Sequence, residues 1–230
     1  MSKSHKSSAS RKRFDRIYET IHLRICLLDY PPNMQLSEDE LAEEFAVSRT
    51  PIRRVLSRLE TEGLVESRHG VGTIVTDVDI NALLEVYQMR IELAKLMGKM
   101  NPRRRTERDI AKMRGLLQRA QDLEVAPNLK RFAQLNMDVH NELTAMIGNT
   151  PLKETVRRLF FFITRIWLTT LTSESLPHET KIFRREIEEI NIAFAQGDLK
   201  TVGYTHRNHI AMSYARLKSY ANAQPDPIGT

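Results

Sequence analysis

The sequence predicts a mostly α-helical protein in two parts, with a small β-hairpin closing the first part. Three observations support this prediction. A basic amphipathic segment at residues 47–59 follows a short capped helix, and β-prone residues flank a glycine-bearing turn at residues 64–76. From residue 80 onward the chain shows helical periodicity without a strand signal. The boundary between the two parts therefore falls near residues 76–79.

The chain begins with a basic segment followed by a helix. Residues 1–13 hold five basic side chains and no acid, interspersed with serines. Such a segment buries too little surface to fold alone, and we expect a disordered arm. Residues 14–28 place Ile17, Ile21 and Ile25 on one helical face, and prolines at residues 31–32 end that helix. The lone Cys26 has apolar neighbours, which indicates a buried thiol rather than a disulfide.

Two closely spaced helices come next. Ser37 and Glu40 have the spacing of a capping box and open a short helix, and only a tight turn fits before the next N-cap candidate, Ser48. The second helix repeats apolar residues at helical spacing, namely Ile52, Val55, Leu56 and Leu59. Its opposite face has no acid between Arg49 and Arg58. Because surface helices normally mix both signs of charge, we interpret this face as one presented to a polyanion rather than as a solvated face.

The residues after the basic helix predict a hairpin. Residues 64–67 and 72–76 are β-prone and flank the turn Arg68-His69-Gly70-Val71. A helix, a tight turn, a basic helix and a hairpin in this order make a winged helix-turn-helix, which we assign to residues 14–76.

Six helices are predicted in the second part, residues 79–221. They lie at about 80–100, 106–126, 128–147, 152–171, 177–196 and 198–220, in an antiparallel bundle. Residues 222–230 are expected to be a flexible tail. There is no glycine-rich phosphate loop, pair of catalytic carboxylates or Ser/Cys-His-acid arrangement, so we do not expect an enzyme. Without a signal peptide or an apolar run near the roughly 20 residues of a membrane span, we expect a cytoplasmic protein.

The run from Leu36 to Val75 resembles the DNA-binding domain of the GntR family of bacterial transcription regulators. The helical part resembles the all-helical effector domain (FCD) of its FadR-like subfamily. The resemblance implies a ligand-responsive regulator, expected to be a repressor that binds an inverted-repeat DNA operator as a homodimer. A small carboxylate metabolite would release or modulate it. The alternative is a protein that does not bind DNA and docks an acidic protein partner on its basic helix.

The resemblance also assigns the residues that would touch DNA. They are Ser48, Arg49, Thr50, Arg53, Arg54, Arg58, His69 and Gly70. Arg49 and Arg53 match the arginines that contact bases in the family. An arginine side chain can make two hydrogen bonds to one guanine. Ser48, Thr50 and Arg54 are expected at phosphates, and His69 and Gly70 match the wing tip that reaches the minor groove. Some relatives carry another base-reading arginine where this chain has Asp39, so that contact is missing. The basic arm would add contacts with phosphates or merely serve as a solubilising tail.

The effector pocket departs from the subfamily pattern. Many members hold a divalent metal with an Asp and three His, and those four places fall here on Asn136, His140, Ile187 and His209. Two imidazoles and one amide lack the anionic oxygen that such a site needs, so no cofactor is expected. Asn136, His140 and His209 are only weak metal candidates, with His206 as a substitute donor.

The expected effector-binding residues are Arg90, Asn136, His140, Arg165 and His209. Arg90 matches an arginine near the start of the subfamily's first effector-domain helix, and Arg165 lies in a nearly all-apolar helix. A buried guanidinium needs an anionic partner. That partner is either an effector carboxylate or a structural acid such as Glu85 or Glu92.

Overall fold

The computed structural model describes residues 2–77 and 80–223. The chain divides into two compact units, Met1–Asp79 and Ile80–Thr230. The described residues form nine α-helices and one three-stranded antiparallel sheet. The predicted fold class, a winged helix-turn-helix followed by an all-helical domain, is confirmed. None of the described helices is long and apolar enough to span a membrane.

The first unit holds the winged helix-turn-helix. Its elements are α1 (Ser2–Cys26), β1 (Gln35–Leu36), α2 (Glu38–Glu44), α3 (Arg49–Thr61), β2 (Val65–Arg68) and β3 (Gly72–Val75). β3 lies between β1 and β2. The hairpin register pairs Val65 with Val75 and Arg68 with Gly72, so the turn lies where the sequence predicts it. β1 was not predicted, because two residues are too few to show a periodicity.

Local chemistry fixes the helix-turn-helix. The Ser37 hydroxyl accepts a hydrogen bond from the Glu40 N–H at 3.4 Å, which is one of the two hydrogen bonds of the predicted capping box. Ala46 adopts a positive φ of 51° in the tight turn before α3. Ser48 has the extended backbone of an N-cap but its side chain makes no capping hydrogen bond. The core is formed by α1 and α3, whose apolar faces are fully buried, including Ile21, Ile25, Ile52, Val55 and Leu59.

The predicted disordered arm differs from the structure, in which α1 begins at Ser2. Residues 2–13 contain neither glycine nor proline. Once residues 14–26 are helical, each added residue gains one hydrogen bond without a new nucleation step. Residues 10–13 are exposed, so this end of the helix has no apolar core behind it. Composition alone missed it, since propagation depends on the neighbouring helix.

The second unit is entirely helical in its described residues. Its elements are α4 (Ile80–Met97), α5 (Glu107–Val125), α6 (Leu129–Ala145), α7 (Thr150–Thr170), α8 (Leu176–Gln196) and α9 (Leu199–Ala223). α4 packs against α7 and α9, while α5 packs against α6 and α8. The six predicted helices are all present. The tail predicted at residues 222–230 lies, beyond Ala223, outside the described residues.

Two glycines let α4 and α9 approach closely, and these helices carry much of the site described below. A Cβ atom on Gly98 would lie 1.7 Å from the Leu199 carbonyl oxygen, and one on Gly203 would lie 2.8 Å from the Ala94 carbonyl oxygen. Side chains at either position would force the helices apart. α7 is buried nearly all round, as its apolar sequence predicts, with Phe160, Ile166 and Trp167 at most 5% exposed.

Candidate functional site

Helix α3 presents two arginines on its exposed face. The side chains of Arg49 and Arg53 are 60% and 63% exposed, whereas Ile52 and Val55 on the opposite face are fully buried. The two arginines are four residues apart and therefore lie on the same edge of the helix. Ser48 and Thr50 are exposed beside them at the start of α3. This edge is where the sequence predicts contact with DNA bases.

Both arginines are paired with acids of α2. The Nε atom of Arg53 donates to Glu38 Oε2 at 2.6 Å, and Arg49 forms an ion pair with Asp39 through its own Nε. Sequence reasoning missed these pairs because it looked for acids within α3. The only sequence signal is the run of acids that opens α2, which on its own indicates helix capping.

The other two arginines of α3 contact α1. The guanidinium of Arg54 lies 5.5 Å from the Phe14 ring centroid. Arg58 lies 3.8 Å from the Tyr18 ring centroid and donates to Glu62 at 3.2 Å, and Tyr18 donates to Glu62 at 2.7 Å. The structure thus places Arg58 in a bridge between the two helices.

The hairpin tip carries the two predicted wing residues. His69 and Gly70 are both exposed in the turn between β2 and β3. Gly70 has a φ of +76°, and a Cβ atom there would meet nothing within 4 Å. Glycine is therefore favoured by the backbone conformation rather than by lack of space. The wing tip is open to a partner.

The helical unit contains a polar cavity of about 50 Å³ among α4, α6, α7, α8 and α9. Its polar lining consists of Tyr87, Arg90, Asn136, Glu179, Glu186, His206, Ser213 and Arg216. A smaller cavity of about 10 Å³ adjoins it, because Arg90, His206 and Ile210 line both, and adds His140. The structure thus brings together three of the predicted effector residues, Arg90, Asn136 and His140.

Arg90 is a buried cation facing these cavities. Its side chain is 8% exposed, and its guanidinium lies 5.5 Å from the ring centroids of both Tyr87 and Phe160. Within the described part of the chain it makes no hydrogen bond and no ion pair. Burial lowers the pKa of the Arg90 guanidinium, and the nearby Tyr87 and Glu186 oppose that shift. Of the acids proposed to pair with it, Glu92 binds Lys95 instead and Glu85 is exposed.

His140 is a second buried polar group at this place. It is 2% exposed and its ring stacks on Phe160 at 3.7 Å, with 5° between the ring planes. Neither ring nitrogen has a hydrogen-bond partner among the described residues. Burial, and to a smaller extent the charge of Arg90, holds the pKa of His140 well below its usual range. The imidazole is therefore neutral at pH 7, and one nitrogen can donate while the other accepts.

The remaining charged groups of the cavity are paired with one another. Arg216 donates to both carboxylate oxygens of Glu179, at 2.6 and 3.0 Å, and Tyr220 donates to the same carboxylate at 3.0 Å. Nδ1 of His206 lies 3.0 Å from Glu186. Sequence reasoning missed both acids, although each is a charged residue on the apolar face of α8, which is a readable signal.

Two predicted effector residues are not brought to the cavity. Arg165 is 2% exposed within α7 but does not line it. His209 directs Nε2 to Glu189 Oε2, at 2.8 Å. Ile187, at the place of a metal-binding histidine, is fully buried. Asn136 offers only a neutral amide and Ile187 no donor atom, so these residues do not fit the subfamily's metal. Within residues 2–77 and 80–223 there is no group of three or more His, Cys, Asp or Glu side chains that could hold a metal ion.

A winged helix-turn-helix with exposed arginines on its second helix, followed on the same chain by a helical domain that contains a polar cavity, indicates a transcriptional regulator rather than an enzyme. The comparisons agree. The chain belongs to the gntR family of bacterial regulatory proteins, whose sequence model matches residues 14–75. The FCD domain matches residues 85–212, which is more than half of the chain.

Several relatives are also named as regulators. The chain is 30% identical over 131 residues to the Nta operon transcriptional regulator of Aminobacter aminovorans, covering 56% of this chain and 61% of that protein, less than two thirds of its length. It is 26% identical over 218 residues to an HTH-type transcriptional regulator in an unstable DNA locus of Streptomyces ambofaciens. That match covers 93% of this chain and 89% of the relative. The solved structure of E. coli McbR/YncC covers 91% of this chain and 99% of its own, with a TM-score of 0.76 and 18% identity, which shows a shared fold.

Proposed function

We propose that this regulator binds an inverted-repeat operator as a homodimer and represses transcription until a small carboxylate enters the cavity of its helical domain. The observation that carries the DNA part is the exposed pair of arginines, Arg49 and Arg53, one turn apart at the start of α3. A helix in the major groove meets base edges with its first turns, and arginine pairs bidentately with guanine O6 and N7.

Other contacts would position this helix without specifying sequence. Ser48, Thr50 and Arg54 lie beside the reading edge and would bind phosphates, and the exposed His69 and Gly70 would enter the minor groove. Arg58 is already fixed by Tyr18 and Glu62. We therefore propose that Arg58 adds positive charge to the DNA interface and does not contact a base. A short recognition helix reads only a few base pairs, so specific binding requires two copies on two half-sites.

The effector part of the proposal rests on Arg90. A buried charge without a partner is costly, so the cavity is suited to an anion that enters from solution. The neutral imidazole of His140, which has no hydrogen-bond partner among the described residues, would hydrogen-bond the same ligand. Because the guanidinium supplies the positive charge, no metal is needed to hold a carboxylate.

Charge and volume narrow the class of effector. Glu179 is paired with Arg216 and Tyr220, so among the described residues that line the cavity Arg90 is the one arginine without an ion pair. A cavity of about 50 Å³ has room for roughly three or four water molecules. We therefore propose a small monocarboxylate. A larger ligand would require the helices to move apart.

The test has two stages. Sequences bound by the full chain are selected from random DNA, and small monocarboxylates are then screened for release of the protein from the best sequence. The only tryptophan, Trp167, lines the cavity, so its fluorescence reports binding directly. We expect one enriched inverted repeat and an effector whose action is lost in Arg90→Gln. If no sequence is enriched and DNA affinity varies little with salt, the result favours the alternative function, in which the basic helix docks an acidic protein partner.

A further inference from the structure

We propose that Glu38 and Asp39 are positioning and specificity-determining residues for DNA recognition, acting through Arg53 and Arg49. This inference rests on the proposed function, because it presumes that the two arginines read bases. Two ion pairs support it. Glu38 and Asp39, which are consecutive in α2, pair with Arg53 and Arg49, which lie one turn apart on α3.

In each ion pair, the end of the guanidinium that could bind a base stays free. In both pairs the closest contact with the acid is through Nε. A guanidinium has five N–H donors in a planar fork, so with Nε–H engaged the end of the fork, formed by one N–H of each terminal nitrogen, stays free. Those two nitrogens can meet O6 and N7 of one guanine. The carboxylates would therefore hold the guanidinium planes in a reading orientation before DNA arrives and reduce the ordering cost of binding.

The same carboxylates oppose binding where the sequence is wrong. Non-specific affinity comes almost entirely from attraction between cations and phosphates. Each acid neutralises one arginine at the interface and brings its own negative charge near the phosphates. Only a guanine in the right place adds hydrogen bonds that offset this repulsion. Glu38 and Asp39 thus raise the ratio of operator affinity to random-DNA affinity, although they weaken DNA binding in general.

Glu38 offers a pair of variants that separates charge from positioning. Glu38→Gln removes the charge but keeps an oxygen that can accept from Arg53 Nε, whereas Glu38→Ala removes both. The matched control is Glu40→Gln, because Glu40 lies in the same first turn of α2, is exposed, and forms no ion pair within the described residues. Affinities are measured by fluorescence anisotropy on the selected operator and on a scrambled duplex of the same composition, at low salt.

We expect Glu38→Gln to raise affinity for the scrambled duplex by roughly two- to fivefold, with little change on the operator. Glu38→Ala should raise scrambled-duplex affinity similarly and also lower operator affinity by roughly two- to fivefold. Glu40→Gln should leave the affinity ratio unchanged. In an Arg53→Ala background the operator loss caused by Glu38→Ala should vanish, because the acid then has nothing to position.

Two results would overturn the inference. The first is an equal shift on both duplexes for the Glu38 variants and the Glu40 control, which would show only a general charge effect. The second is an operator loss that persists in the Arg53→Ala background, which would show that Glu38 acts through folding. Far-UV melting of each variant checks the fold independently. Wild-type protein that does not prefer any selected duplex would instead refute the proposed function itself.

Discussion

Replacing Arg90 by methionine tests whether the helical domain contains a charge that the protein itself does not compensate. The residue is 8% exposed, and its guanidinium lies 5.5 Å from the ring centroids of Tyr87 and Phe160, without a hydrogen bond or ion pair among the described residues. Methionine is unbranched, fills irregular space and carries no charge, although its side chain ends about where the guanidinium of arginine begins. The substitution removes a buried cation that has no hydrogen bond or ion pair among the described residues, and it leaves some space where the guanidinium was.

The magnitude follows from two opposing effects. Replacing buried ionic groups by apolar residues of similar volume is neutral or stabilises a protein by about 1–4 kcal/mol. Against this, two cation–π contacts are lost, and at 5.5 Å they lie near the distance limit, so each contributes about 0.5 kcal/mol. The ligand-free variant should therefore lie between about 1 kcal/mol less stable and about 3 kcal/mol more stable than wild type, or about −4 to +12 °C in Tm.

A matched control lies in the same cavity. Arg216→Met is the same substitution, but Arg216 binds both oxygens of Glu179, whose side chain is only 3% exposed. Its loss leaves a buried carboxylate with Tyr220 as its remaining partner, and breaking such a pair costs about 3–5 kcal/mol. The same substitution should thus destabilise the protein much more at Arg216 than at Arg90, although both residues line one cavity.

The assay is urea unfolding followed by the fluorescence of Trp167, which lies in α7 and reports on the helical unit. Arg90→Met should lose no more than about 1 kcal/mol of unfolding free energy and should no longer respond to carboxylates. A loss of several kcal/mol in Arg90→Met, like that in Arg216→Met, would mean that Arg90 is compensated within the protein. The cavity would then not be an anion site.

Four further predictions concern DNA, assembly, the metal and pH. Arg53→Ala should cost roughly 1–3 kcal/mol on the operator and relax one base pair per half-site, whereas Arg54→Ala should weaken all DNA equally; equal losses on cognate and random DNA in both variants would disprove the base-reading role. Sedimentation should give a dimer at micromolar concentration, and a monomer bound singly to DNA would refute the inverted repeat. Elemental analysis should find no stoichiometric metal and chelator should not change Tm; about one metal per chain, lost in His140→Ala, would reverse that prediction. Burial depresses the pKa of His140, so the unfolded chain takes up its proton first as pH falls; below about pH 6.5 wild type should lose up to about 1.4 kcal/mol per pH unit relative to His140→Gln, and parallel pH profiles would contradict it.

The sequence predicted the elements of this fold because each has strong local signals. Helix ends coincide with caps such as Ser37, the Thr106–Asp109 capping box and Gly197 in the left-handed conformation. Helical periodicity alone found the faces of α1 and α3 that form the core. The helical start of the chain was missed because helix propagation from residues 14–26 adds hydrogen bonds that composition does not count.

The candidate sites were predicted less completely, because they depend on pairs between elements. The sequence of α3 alone does not indicate that Arg53 and Arg49 pair with Glu38 and Asp39 of α2. Likewise, the position of His209 on α9 does not reveal that Glu189 is its partner, which directs Nε2 away from the cavity lining. Residue type and helical face can be read locally, whereas a partner across an interface requires the packing.

Arg90 and the altered donor set together argue for a particular kind of effector. A bound dication would bring two positive charges and would require anionic oxygen, but Asn136 is neutral and Ile187 offers no lone pair. Arg90 brings one positive charge in a planar fork that matches a single carboxylate. A second carboxylate would face no further unpaired cation in the described lining, while Glu186 would repel it. Monocarboxylates should therefore bind in preference to dicarboxylates of similar size, and tighter binding of the dicarboxylate would show that another cation, or a metal, completes the site.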